Sequence, residues 1–106
     1  METIDRFNEI GLSLSEKEGS KIGKMFGKPS LNWGTKAFAC LFDGDMVFKL
    51  SGLERERALA MSGAKLFDPG SMGRPMKEWV QVPGEYEEFW KELAASALEY
   101  VQLINK

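Results

Sequence analysis

Lys36-Ala37-Phe38-Ala39-Cys40-Leu41-Phe42-Asp43-Gly44-Asp45-Met46-Val47-Phe48-Lys49-Leu50 is the stretch on which the fold turns. Two apolar runs flank Asp43-Gly44-Asp45. Aspartate-glycine between such runs is a strong hairpin signal, because glycine supplies the positive φ that a tight turn requires. In the first strand Phe38, Cys40 and Phe42 are expected on one face, with Ala37, Ala39 and Leu41 on the other. Asp43 and Asp45 read as turn formers. They lack the further oxygen ligands of a calcium loop, so no metal is expected there.

Beyond the hairpin, Leu53-Glu54-Arg55-Glu56-Arg57-Ala58-Leu59-Ala60-Met61 consists of good helix formers, and the reading places a helix over 53–63 with Gly63 as its stop. An extended piece, Ala64–Phe67, precedes a glycine-rich loop, Asp68–Pro75. The strand Met76–Val82 follows, with Met76, Val80 and Val82 on one side and Lys77, Trp79 and Gln81 on the other. Pro83-Gly84 closes it. Residues 85–104 then read as a long helix. Phe89, Trp90, Leu93, Ala97, Tyr100, Val101 and Ile104 make its apolar stripe, and Glu85, Glu87 and Glu88 fill its first turn.

Before the hairpin the pattern is more broken. Gly19, Gly23, Gly27, Pro29 and Gly34 punctuate short apolar pieces. A short strand is expected at Lys21–Phe26, then an irregular link through Pro29. The glycine spacing fits neither a phosphate-binding loop nor a dinucleotide fingerprint. Residues 2–15 read as an amphipathic helix with Ile4, Phe7, Ile10 and Leu14 on one face and Thr3 as its N-cap. Gly11 weakens that helix by about 1 kcal/mol relative to alanine.

The elements run helix, strands with a hairpin, helix, strand, helix. That order predicts an α+β fold, with N-terminal, middle and long C-terminal helices on a largely antiparallel sheet. The 106 residues read as one domain. No apolar run is long enough to span a bilayer. The N-terminus is acidic where a signal peptide would be basic, so the expected location is the cytoplasm.

The chain has no histidine and one cysteine. Catalytic triads, Cys-His pairs, imidazole acid–base chemistry and Cys/His zinc sites are therefore excluded, as is an internal disulfide. Cys40 lies mid-strand among apolar neighbours, which predicts an inert buried thiol. No catalytic motif and no cofactor site stands out, and the chain is expected not to be an enzyme. The net charge is −2. Acidic ends flank a mildly basic middle over residues 17–82, a distribution that suits an anionic partner but is met as well by an ordinary solvated surface.

Several pieces in the right order resemble the N-terminal domain family of TfoX/Sxy, the bacterial competence regulator, and more distantly the YjbR-like fold. They are Met25-Phe26-Gly27, the Lys36–Leu41 strand, its Asp-Gly turn and Val47–Leu50, Ser62-Gly63 leading into Leu66-Phe67, and Pro75–Pro83 before a long last helix. The resemblance runs from about Lys21 to Val101. It implies a small non-enzymatic regulatory or interaction domain without an established catalytic residue set. Functions that need that family's second, C-terminal domain lie outside what it implies.

Trp33, Lys49, Arg74, Lys77 and Trp79 form the candidate ligand or partner surface. The alternative function is weak nucleic-acid binding, with Lys21, Lys24, Lys28, Lys36, Arg74 and Lys77 on phosphates and Trp33 or Trp79 stacking on bases. A protein partner, or self-association through a strand edge or the first helix, is the other expectation.

Overall fold

The computed structural model describes residues 3–18, 20–25, 27–68, 73 and 76–105; the side chains of Thr3 and residues 16–18 are not described. Helix α1 is Thr3–Glu18, followed by strands β1 (Lys21–Met25), β2 (Lys28–Trp33), β3 (Lys36–Phe42) and β4 (Asp45–Lys49). Helix α2 (Gly52–Leu59), strands β5 (Lys65–Phe67) and β6 (Met76–Val82), a 3-10 segment (Gly84–Phe89) and helix α3 (Trp90–Ile104) complete the order. The six strands form one sheet in the order β1-β2-β3-β4-β6-β5, and every neighbouring pair is antiparallel. This is the α+β arrangement that the sequence implies.

The Asp43-Gly44 turn forms as expected. Phe42 pairs with Asp45, and both intervening residues have positive φ, 49° at Asp43 and 84° at Gly44. Such a turn carries the right-handed twist of the strands it joins.

Three expectations about the strands are corrected. The link through Pro29 is strand β2. Its ladder with β3 begins at Ser30, so Pro29, opposite Lys24, sits where β2 has only β1 beside it. A proline is tolerated there because no ladder hydrogen bond is lost. Second, Phe38 joins Ala39 and Leu41 in the helix-side core instead of Cys40 and Phe42. The β2–β3 register shifts between Leu31 and Asn32: Leu31 pairs with Ala39 and Asn32 with Ala37, which leaves Phe38 as the extra residue of a bulge. Third, Met76 packs with Trp79, not with Val80 and Val82. The β5–β6 register jumps from Leu66–Val80 to Phe67–Met76, and that irregularity resets the alternation.

The helices differ from expectation at their ends. α1 runs to Glu18 and already includes Thr3 as its first residue, and Thr3's N-cap role lies outside the described side chains. α2 stops at Leu59, and a turn covers 60–63 before Gly63 takes φ 86°. The last helix is preceded by a 3-10 segment with a non-helical Tyr86 (φ −103°, ψ 23°). Phe26, the last residue of the expected first strand, lies outside the described residues, as does most of the loop before Met76.

All three helices pack apolar side chains on one side of the sheet, but Ile4, Phe89 and Ile104 of the expected stripes lie at the helix ends and are exposed. Phe7, Ile10 and Leu14 of α1, Ala58 of α2, and Trp90, Leu93, Ala97 and Val101 of α3 join Leu31, Phe38, Met46, Phe48, Val80 and Val82 in one cluster. Gly11 lets α1 pass close to the sheet: a Cβ there would stand 3.0 Å from Leu31 Cδ2 and 3.2 Å from Ile22 Cδ1. The helix-weakening glycine thus leaves room for Leu31 and Ile22 against α1. No described helix is long and apolar enough to cross a membrane.

Candidate anion-binding sheet face

The other side of the sheet holds a second, smaller cluster. Cys40, Val47, Phe67 and Trp79 are buried, with Met25, Ala37, Phe42 and Met76 packed around them. Phe42 and Phe67 meet edge to face, with ring centroids 5.1 Å apart at 75°. No buried residue of a described helix belongs to this cluster.

Residues opposite one another on paired strands share a face, so the pairing decides which lysines surround this cluster. Lys28 pairs with Met25. Lys49 pairs with Trp79. Lys65 pairs with Gln81, which pairs in turn with Val47. Lys21 pairs with Asn32, which pairs with Ala37. Lys21, Lys28, Lys49 and Lys65 therefore all stand on the face that the helices leave open. Lys28 Nζ lies 5.6 Å from the centre of the Phe42 ring and 3.8 Å from the Asp43 carboxylate. Lys24 and Lys36 go to the helix side. Lys24 shares a face with Ile22, which touches α1, and Lys36 pairs with Trp33, which packs against the larger core.

Two described acids stand beside these lysines: Asp43, paired with Lys28, and Asp45. Asp45 pairs with Phe42, and its carboxylate accepts from Gln81 Nε2 at 2.8 Å and from the Gly84 backbone N–H at 3.1 Å. Both oxygens are occupied in holding the β4–β6 end together. Ser30 and Asn32 add a polar strip, with Ser30 Oγ donating to Asn32 Oδ1 at 2.8 Å.

Charge is sorted by element. The strands contain seven lysines against Asp45 and Glu78. The helical segments contain eleven acidic residues against five basic ones. A slightly acidic chain thus has a basic sheet and an acidic helical layer. On the helical side, a cleft of about 220 Å³ is lined by Leu50, Ser51, Glu54, Ser96, Glu99, Tyr100 and Leu103. The Tyr100 hydroxyl donates to Glu78 there. That bond, with smaller effects of burial and of the Glu78 charge, raises the Tyr100 pKa against an opposing bond from Ser51. Among the described residues no group of three or more Cys, Asp or Glu converges to hold a metal.

The residues singled out from sequence are distributed unevenly. Lys49 and Trp79 are cross-strand neighbours on the open face. Trp79 is only 8% exposed, so it is packing beneath that face and offers no free ring. Trp33 is half-buried on the opposite side, against the larger core. Lys77 is exposed at the start of β6, and Arg74 lies outside the described residues. Lys65 was missed, because its three-residue strand carries no face signal until its pairing with β6 is known. Burial pushes the Cys40 thiol up to about 12, and it stays protonated.

Comparison with protein-family models, with curated proteins and with solved structures finds no match for this chain.

Proposed function

We propose that the chain is a non-enzymatic interaction domain, acting in the cytoplasm, whose open sheet face binds an anionic partner, with single-stranded nucleic acid as the partner class. One observation carries this reading: strand pairing collects Lys21, Lys28, Lys49 and Lys65 on the face without helices, where Asp45 is bound by Gln81 and Gly84 and Asp43 pairs with Lys28. Lysines on a sheet face suit phosphates as point charges rather than bases as planar partners. The local field, not the net charge of −2, governs such an encounter.

Neither of the shifted groups among the described residues is an activated nucleophile. The Cys40 thiol and the Tyr100 hydroxyl are both shifted toward their protonated forms, opposite to what an activated nucleophile needs. The TfoX/Sxy N-terminal resemblance points the same way, toward a regulatory domain without an active site.

Stacking has little part in this reading. Phe67 and Trp79 are buried, and Phe42 is half-buried under Lys28. The test is a fluorescence-anisotropy titration of a labelled single-stranded oligonucleotide. Four phosphate contacts predict that binding weakens roughly 50-fold between 50 and 200 mM salt. Reversing the four lysines to glutamate should abolish binding. Unchanged affinity in that variant, or no binding by the native chain at low salt, refutes the proposal.

A further inference from the structure

The two edges of the sheet differ. β5 is a three-residue edge with a register jump, the kind of short irregular edge that resists further pairing. β1 is five residues long, pairs with β2 in continuous register, and has no described strand on its other side. Beside it runs an open cleft of about 460 Å³ lined by Asn8, Gly11, Leu12, Ser15, Lys21 and Ile22. Leu12 is 63% exposed and Ile22 54%. An unpaired strand and two bare aliphatic side chains meet in one place.

We propose that this edge pairs with β1 of a second copy of the chain, antiparallel about a two-fold axis at Gly23. The sequence of the strand is complementary to itself in that register. Lys24 of each copy falls opposite Ile22 of the other, and Lys21 opposite Met25, so no two lysines face each other. The lysine stems cover apolar neighbours while their ammonium groups stay in water. Register shifts of two residues lose this pattern, since one sets Lys24 against Lys24 and the other sets Lys21 against Gly23, each with fewer pairs.

A dimer interface of this kind uses the same patch twice. It also occupies the longer of the two edges of the described sheet, which would otherwise be free to pair at random.

Sedimentation equilibrium of the full chain tests this. The native chain should reach twice 11.9 kDa at high micromolar concentration. Leu12→Glu and Ile22→Lys should each sediment as the monomer. Leu12 is the more exposed, so circular dichroism and the melting temperature of Leu12→Glu should match those of the native chain, whereas Ile22→Lys also gives up a contact with α1. A native chain that stays at 11.9 kDa up to millimolar concentration overturns the proposal, as do variants that still dimerise.

Discussion

The helix-covered face of the sheet and its open face are built from the same strands but with different neighbours. On the first, Leu31, Met46, Phe48, Val80 and Val82 have no exposure and meet three helices. On the second, Cys40, Val47, Phe67 and Trp79 are buried, but Lys21, Lys28, Lys49 and Lys65 share their surface. A helix laid over the second face would have to strip water from four ammonium groups, at a cost of several kcal/mol for each one left unpaired. The lysines therefore keep that face wet. The difference separates a surface that stabilises the fold from one that remains available to a partner.

The sharpest contrast is between Phe48 and the lysines. Phe48→Ala should destabilise the chain by about 3–5 kcal/mol, read as the midpoint of urea unfolding, because it opens a cavity under α3. Reversing the four lysines should move that midpoint little, by at most about 0.5 kcal/mol per site, while removing anion binding. A large loss of stability in the lysine variant would break the comparison.

The open face also carries a buried thiol. Cys40 keeps its proton in the folded state up to about pH 12, whereas in the unfolded chain it ionises near its ordinary value of 9.0. Its contribution to stability is therefore complete below about pH 9 and declines as the pH rises toward 12. Denaturant titrations over that range should show the decline, and Cys40→Ala should flatten it. Native-state labelling of Cys40 by a thiol reagent should be slow, limited by opening of the sheet.

The smallest effect belongs to Trp90. Its ring is fully buried in the larger core, and its Nε1–H has no hydrogen-bond partner among the described residues. Trp90→Phe loses packing area but also removes an unsatisfied donor, whose burial costs about 1–3 kcal/mol. The net change in unfolding free energy should be about 1 kcal/mol or less.

Much of the fold is legible in the sequence, because local chemistry decides it. Asp43-Gly44 specifies its turn, and Phe7, Ile10 and Leu14 or Leu93, Ala97 and Val101 mark their helix faces by spacing alone. What is lost depends on partners distant in the chain. Pro29 reads as a breaker until β2 is seen to have one neighbour at that point. Phe38 changes face because of a bulge set by β2, and Met76 because of a jump set by β5. The candidate surface suffers most from this. Lys49 and Lys77 stand out locally, but only pairing shows that Lys21, Lys28 and Lys65 share a face with Lys49 and that Trp33 does not. For Trp79 alternation gives a side but not its covering, so its burial is not legible from spacing.

The most direct measurement is an NMR titration of the isotopically labelled chain with a short single-stranded oligonucleotide at low salt. The account predicts amide and lysine shifts concentrated on β1, β2, β4 and β5 at Lys21, Lys28, Lys49 and Lys65, with α2 and α3 unmoved. Shifts gathered instead around Ser51, Glu54 and Tyr100, or no shifts at all, would contradict it.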